Sequence, residues 1–439
     1  MPGLELPNPT LQLRWTPSMP EELIASRSAT EYQREWVKGL RAQITGGAQY
    51  AFANADTPHE IFHHMGLPVV TNQWWSAIIS AKQLSEYYFD HMESLGFHGR
   101  LARYSSLPLI AELEGDRERQ PWGGLPRPAV LCARQSADDH QKIFSLWAER
   151  TGAPLFLFSA PAVPDPEPDW WALARNDWEL LYGTDRLDLM VAEMRDLIGL
   201  LEKLTGRRFD DESFRTYLDR VNTQEEIFAE ASELLAAAPR SPIRINEQIP
   251  NVMIPQWHRG SDWALAHARA FRDEVAARVR SGTAACENER IRMMWIGAGL
   301  WFDTSFYTAF EESHGAVFAW SMYLPFAADG YIRYDRGDPL RALAARVVSM
   351  NEQLHQPPWV NSWLVEQAKK YRIDVALMLI PRHDRFSGLG SLFAKRALEQ
   401  AGVRVIEVWS DMVDRREWDR EAMYARVAAE LDGLPRRLD

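Results

Sequence analysis

Apolar residues fall in two kinds of run along this chain. The first kind is short and unbroken: "LPVVTNQ", "RPAVLCA" and "APLFLFSAP" in the first half, and "RIRMMWIG", "AVFAWSMY", "DVALMLIP" and "VRVIEVWS" in the second. Runs of this length without alternation predict strands covered on both faces, as in a parallel α/β sheet. Helical sequence follows them. "SAIISAKQLSEYYFDHMESLG" predicts a helix stopped by Gly96, "SADDHQKIFSLWAERTG" a helix with Ser136 as N-cap and Gly152 as its end, and "GLGSLFAKRALEQAG" a third. Strands alternating with helices imply right-handed crossovers and parallel sheets. The second kind of run is periodic. Leu187, Met190, Val191, Met194, Leu197, Ile198, Leu201 and Leu204 recur at helical spacing, giving one helix with a single apolar stripe inside a nearly all-helical stretch.

These runs divide the chain into four parts. Residues 1–55 carry helical pieces with Pro-rich edges and no clear sheet signal. Residues 56–165 form a first α/β domain, closed by the proline-rich "PAVPDPEPDWW"; 166–285 are a helical segment; 286–439 form a second α/β domain. The predicted fold class is α/β, with two doubly wound parallel-sheet domains and an intervening helical segment. At 439 residues the chain exceeds what one core fills comfortably.

Composition narrows the function more by exclusion than by indication. A formal charge of -12 and the absence of a basic run argue against a nucleic-acid partner. No apolar run spans a bilayer, the longest being "AVFAWSMYLPFAA", and no basic segment followed by an apolar one opens the chain, so the expectation is a cytoplasmic protein without membrane contact. Two cysteines, Cys132 and Cys286, are too few for a disulfide scaffold or a self-sufficient four-thiolate site. Eighteen tryptophans predict aromatic-rich cores, subunit interfaces or ligand walls.

Several motifs invite chemistry. In "HEIFHHMG", His59, Glu60 and His63 match HExxH, the helix that presents two histidines to zinc. A third ligand is missing, since Val69 stands where the extended form of the motif has histidine, and a surface helix entering a sheet is the stronger reading. No metal is expected. "WIGAGLWF" supplies Gly297 and Gly299 after a strand, but Phe302 stands where a dinucleotide fingerprint needs its third glycine. A tight turn that brings backbone N–H groups to a ligand remains, with Trp301 at its mouth. "CARQSADDH" follows another strand with Arg134, Gln135, Ser136, Asp138 and His140, and "IPRHDRF" ends a third with Arg382, His383 and Arg385. Ligands of open α/β sheets bind beyond the carboxyl ends of strands, which is where all three loops lie. No GxSxG elbow occurs, which removes support for a Ser-His-Asp hydrolase.

The order of segments resembles a known family over nearly the whole chain. "TPHEIFHHMG", "LPVV" and "PAVLCARQSADDHQKIFSLWAERTGAPLFLFSAP" precede the helical "LIGLLEKLTGRRFDDESFRTYLDRVN"; then come "RIRMMWIGAGLWF", "EESHGAVFAWSMY", "DPLRALA" and "GVRVIEVWSDMVDRREW". This is similar to the 2-hydroxyacyl-CoA dehydratase and benzoyl-CoA reductase superfamily, in particular its cluster-binding subunits. The resemblance implies two Rossmann-like domains, a paralogous partner subunit in a heterodimer or heterotetramer, a CoA thioester as substrate, and an iron–sulfur cluster held by three cysteines. Here the sequence departs from the pattern. Cys132 lies within its strand, the middle region offers Ser321 and Ser349, the third position falls at Arg382-His383, and Cys286 sits at the wrong end of a strand.

Without a cluster, one-electron chemistry by this chain alone is lost. A reaction that fits what remains is intramolecular CoA transfer in an aryl-substituted succinyl-CoA such as benzylidenesuccinyl-CoA, through a cyclic anhydride, as in anaerobic aromatic degradation. Arg382, His383 and Arg134 are the candidate catalytic cations; Arg385, Gln135, Ser136, Gly297, Gly299, Trp301 and Tyr323 are the candidate substrate and CoA contacts. The alternative is a non-catalytic subunit of an iron–sulfur dehydratase or reductase, and the more distant one a zinc hydrolase.

Overall fold

A computed structural model describes residues 21–434 except 138, 162–164, 168 and 325–329, so Asp138 and part of the proline-rich "PAVPDPEPDWW" lie outside the described residues. Eight strands form two sheets, all parallel. The first is ordered β2(Val69–Thr71), β1(Ala51–Ala53), β3(Val130–Arg134), β4(Leu155–Phe158); the second is ordered β6(Ala316–Ser321), β5(Ile291–Ile296), β7(Val375–Ile380), β8(Arg404–Trp409). Each sheet follows the same scheme, with its first strand in chain order paired to the second on one side and to the third on the other. In register, Ala51 pairs with both Val69 and Val130, and Met293 pairs with Phe318 and Val375. This is the Rossmann-like α/β architecture. The unbroken apolar runs are explained by burial: all six residues of β7 and of β6 are buried.

Three local features differ from expectation. β1, the strand on which the first sheet is centred, lies inside the stretch read as having no sheet signal; three residues, "AFA", are too short to show a period. The single helix expected from "SAIISAKQLSEYYFDHMESLG" is two, Asn72–Ala81 and Ser85–Ser94, separated where Gln83 adopts φ +60°. The helix after β3 begins at His140 with Asp139 before it, and Ser136 does not cap it. Its end is as expected, at Gly152 with φ +66°, a conformation glycine reaches without a Cβ penalty.

Long helices bind the two sheets together. The striped helix, Thr184–Thr205, buries Leu187, Met190, Met194, Leu197, Ile198 and Leu201 and packs against Pro339–His355. Helix Asp211–Ala237 packs along Asp262–Ser281, and the N-terminal helix Ile24–Thr45 along Ile245–Trp257. No helix of the described residues is long and apolar enough to cross a membrane.

The HExxH motif is part of this binding. Helix His59–His64 is buried rather than at the surface. Glu60 accepts from Arg259 Nε at 2.8 Å and lies 3.3 Å from Arg346 Nε; Arg346 Nη2 donates to Glu225 Oε1 at 3.2 Å, which also receives Gln256 Nε2 at 2.9 Å. The four charged residues are at most 4% exposed. His59 Nε2 sits 2.8 Å from the Asn54 carbonyl, and His63 Nδ1 3.3 Å from the Tyr217 hydroxyl. Glu60 is thus committed to two guanidinium groups. Burial alone would push its carboxyl up, but Arg259 and then Arg346 outweigh that and hold it at about 2.

Two predictions follow from these buried charges. Glu60→Gln leaves Arg259 and Arg346 short of counter-charge in the interior, so urea unfolding is expected to show a loss of about 3–5 kcal/mol; a loss below 1 kcal/mol would mean the network is dispensable. Six histidines are held below their ordinary value, first by burial: His59 and His258 at about 3, His63, His267 and His355 at about 4, and His64 less far. Unfolding restores a value near 6.5, so the unfolded chain takes up protons first as pH falls. Their contribution is complete above pH 6.5 and drains away towards pH 4, by about 1 kcal/mol per histidine per pH unit. Glu60 acts lower down, losing its contribution only between about 4.5 and 2. Thermal melts from pH 8 to 5 should therefore show a decline in Tm that starts near 6.5; a flat Tm down to pH 5 contradicts it.

Candidate active site between the two sheets

In each sheet the strand order reverses direction at one place, beside β1 and β3 in the first and beside β5 and β7 in the second. Such switch points leave a crevice beyond the carboxyl ends of the strands. Here the two crevices share one cavity of about 200 Å³. Ala55, Asp56 and Ser136 enter it from beyond β1 and β3, and Ile296, Gly297, Ala298, Met378 and Leu379 from β5 and β7.

Its wall is apolar, with aromatic, thioether and branched aliphatic groups, the last from Ile296, Leu354, Val360, Leu364 and Leu379. Tyr104, Trp257, Trp301, Tyr323 and Phe386 supply rings, and Met253, Met322, Met350 and Met378 supply sulfur. Met side chains mould to irregular apolar ligands and contact aromatic rings favourably. Gly297 explains how the wall closes: its φ is +102°, and a Cβ there would stand 3.0 Å from the Leu379 carbonyl of β7. A Cβ on Gly299 would stand 2.7 Å from the Trp301 ring, so that glycine lets the ring fold back over its own loop.

The polar groups gather at one end. His140 Nδ1 lies 3.1 Å from the Asn54 amide nitrogen, which can only donate, so the ring proton sits on Nε2, 2.9 Å from Ser105 Oγ. Ser105 accepts that proton's hydrogen bond and has its own to direct into the cavity. Ser136 donates to Asp56 Oδ2 at 2.7 Å. Tyr104 accepts from Trp301 Nε1 at 3.1 Å. Burial pushes the Tyr104 phenol well above its ordinary value, against the pull of that bond, so the group stays a neutral donor. Asp384 is pushed up by burial, opposed by the backbone N–H of Ser387 at 3.2 Å and its hydroxyl at 2.8 Å. His355, held near 4 by burial and then by His140, is an uncharged wall group.

The residues expected from sequence divide into two sets. Ser136, Gly297, Trp301 and Tyr323 line the cavity; Gly299 supports it from behind. The cations do not line it. Arg134 is fully buried at the end of β3, where Nη1 donates to the Val347 carbonyl at 2.6 Å and Nε to the Ser159 carbonyl at 3.2 Å, which makes it a pin between the first sheet and helix Pro339–His355. His383 bonds Glu417 through Nε2. Arg382 and Arg385 are exposed on the loop that flanks the cavity. Gln135 is exposed and donates to Gln141 at 3.3 Å. The anticipated cationic pocket is therefore an apolar one with hydroxyl, imidazole and carboxyl groups. Tyr104, Asp384 and His355 carried no motif; only Asp384, inside "PRHDRF", stood within a stretch singled out for its position.

A profile of the family described as "2-hydroxyglutaryl-CoA dehydratase, D-component" matches residues 54–432, and the chain belongs to that family. It is also similar to the "(R)-phenyllactyl-CoA dehydratase alpha subunit" of Clostridium sporogenes, 22% identical over 389 residues that cover 86% of this chain and 87% of the relative. A cluster held by three thiolates does not fit the side chains present. Of the two cysteines in the chain, Cys132 is fully buried inside β3, where burial pushes its thiol well up. Cys286 precedes β5, at the end of the sheet remote from the cavity, with its Sγ 3.4 Å from the Glu311 carbonyl. Among the described residues, no group of three or more His, Cys, Asp or Glu is arranged to hold a metal ion.

Gly297→Ala tests the closure of the wall. A left-handed backbone and a 3.0 Å approach to a carbonyl should together cost roughly 1–3 kcal/mol in urea unfolding; no measurable cost would show that the β5 loop relaxes freely.

Proposed function

We propose that this chain is one subunit of a heteromeric CoA-ester enzyme, and that it works without an iron–sulfur cluster of its own by moving CoA between the two carboxyl groups of an aryl-substituted succinate, benzylidenesuccinyl-CoA being the type of substrate meant. The observation that carries this reading is the cavity: a partly open, apolar space rich in aromatic and thioether groups with neutral hydroxyl donors, in a family that acts on CoA esters, on a chain whose thiols lie elsewhere.

The size suits an acyl group. Apolar cavities of about 150 Å³ take up benzene, so about 200 Å³ accommodates an aryl ring with a short side chain but not the nucleotide end of CoA. That end is left to the mouth, where Arg382 and Arg385 are exposed beside Phe386 and Ser387 of the wall. Both arginines are suited to phosphate oxygens.

The chemistry needs little from the protein beyond position and dryness. The free carboxylate of the bound monothioester attacks the thioester carbonyl, the C–S bond breaks, and a five-membered anhydride forms with CoA thiolate as leaving group. The thiolate then attacks the other anhydride carbonyl, and the ring opens to the isomeric thioester and a carboxylate. Atoms and charge balance without a metal, an oxidant or a protein nucleophile. Ring closure between fixed neighbours benefits from effective molarities of about 10⁵ M or more. The apolar wall keeps water from the anhydride, and the Tyr104 and Ser105 hydroxyls are the donors assigned to the oxyanion of each tetrahedral stage.

The test joins composition to activity. The native complex, purified without oxygen, is assayed for iron, acid-labile sulfide and migration of CoA on arylsuccinyl thioesters. The reading expects no cluster and a measurable isomerisation, with Tyr104→Phe reducing kcat about 10–100-fold and Arg382→Ala raising KM about tenfold while kcat holds. A four-iron cluster in the complex with no CoA migration would replace it by the second reading, a silent half of an iron–sulfur dehydratase.

A further inference from the structure

At its polar end the cavity brings a hydroxyl and an imidazole into direct contact. Ser105 is the third residue of helix Arg103–Glu114 and His140 opens helix His140–Thr151; Ser105 Oγ and His140 Nε2 are 2.9 Å apart. Both residues line the cavity and both are buried. This is the separation at which an imidazole takes the proton of an attacking hydroxyl. The pair carries no sequence signature, because 35 positions separate its members and no GxSxG elbow surrounds the serine.

The far side of the ring has the partners that an orienting group requires. His140 Nδ1 lies 3.1 Å from the Asn54 amide and 3.2 Å from Ser136 Oγ, which itself donates to Asp56 Oδ2 at 2.7 Å. With the amide nitrogen towards the ring, the proton sits on Nε2 and Ser105 is a donor, as described above. Nothing else holds the amide in that orientation. Asn54 is fully buried, its Oδ1 has no partner, and among the described residues its side chain bonds only His140. A half-turn of the amide brings Oδ1 to Nδ1. The ring then carries its proton on Nδ1, with Asn54 Oδ1 and Ser136 Oγ as acceptors, and Nε2 presents its lone pair to the Ser105 hydroxyl. Nucleophile, base and orienting group then stand in the order that acyl transfer uses.

We propose that Ser105, His140 and Asn54 form an acyl-transfer triad, a second activity that hydrolyses aryl acyl-CoA thioesters lacking a second carboxylate. Ser105 Oγ attacks the thioester carbonyl carbon as its proton passes to His140 Nε2, and the neighbouring Tyr104 hydroxyl is the donor for the oxyanion. The C–S bond breaks, the CoA thiolate takes the proton from His140 and leaves as the thiol, and the acyl group remains on Ser105 as an ester. Water from the open side of the cavity then attacks that ester, giving its proton to Nε2. The C–O bond to Ser105 breaks, the proton returns to Oγ, and the carboxylic acid departs. In a succinyl chain the internal carboxylate outruns Ser105, since ring closure needs no second group to be brought up. The substrate thus decides which attack occurs. The assignment rests on the acyl group entering this cavity and not on migration of CoA.

The experiment treats the native protein with phenylmethylsulfonyl fluoride, an aryl electrophile small enough for the cavity, and locates the modified residue by peptide mass spectrometry. In parallel, release of CoA thiol from 3-phenylpropanoyl-CoA is followed before and after treatment. The expected result is sulfonylation of Ser105 that abolishes thiol release, with both rates at least about 100-fold lower in His140→Gln. Asn54→Asp, which offers Nδ1 an oxygen whichever way the side chain turns, should raise both rates about tenfold. Ser105→Ala should keep its Tm and lose both reactions. Sulfonylation of another residue in place of Ser105, or a Ser105 rate that His140→Gln leaves unchanged in a folded protein, overturns the triad. Neither assay reads CoA migration on arylsuccinyl thioesters, so a failure here leaves that reading standing, and a failure of that reading leaves Ser105 labelling to decide the triad.

Discussion

A charge taken out of water must meet its opposite, and at one point in this protein that requirement joins four separate elements of the chain. Glu60 comes from a short helix of the first α/β unit, Glu225 from the longest helix of the helical layer, Arg259 from the turn after helix Ile245–Trp257, and Arg346 from helix Pro339–His355. None can be buried alone, since an unpaired interior ion costs several kcal/mol. The four elements must therefore arrive together. The same constraint fixes helix Pro339–His355, whose last turns deliver Met350 and His355 to the cavity, so the cavity wall is tied to the interior ion network. It also accounts for the HExxH spelling: the glutamate is there for two arginines, and its histidines are neutral members of the core.

The second organising feature is repetition. Two sheets with one strand order present two crevices, and the chain turns them face to face so that one cavity serves both. A site made from two halves draws its groups from distant positions in sequence. Asp56 and Ser136, which bond each other, are 80 residues apart, and Trp301 bonds Tyr104 across 197. The first half supplies Asp56, Tyr104, Ser105, Ser136 and His140, and the second an apolar wall together with Tyr323, His355 and Asp384.

This explains which parts were legible in sequence. β5, β6, β7 and β8 were readable because six-residue apolar runs have few alternatives, and the stripe from Leu187 to Leu201 because a period of 3.6 leaves only one face to bury. β1 was not readable, since three small or aromatic residues carry no period. Of the residues singled out in loops after strands, Ser136, Gly297, Trp301 and Tyr323 reach the cavity. Arginines were favoured over tyrosines because charge looks like function in a linear string. In three dimensions Arg134 turned out to bond backbone carbonyls, a use that residue type alone does not distinguish from catalysis. Tyr104 was invisible for the opposite reason: a helical tyrosine becomes a site residue only when another unit places an indole within hydrogen-bonding distance of it.

The four methionines in the cavity wall bear on how choosy the protein can be. A wall of branched aliphatic side chains has a fixed outline, whereas unbranched thioethers with several rotatable bonds re-form around whatever enters. Here both kinds meet, since Ile296, Leu354, Val360, Leu364 and Leu379 stand beside the methionines, so only the thioether part of the wall can re-form. The fixed outline of the cavity lies instead at its polar end, where His140, Ser105, Ser136 and Asp56 are held by their mutual bonds. A cavity of this build changes its outline with small movements of a few side chains, while its polar end stays in place.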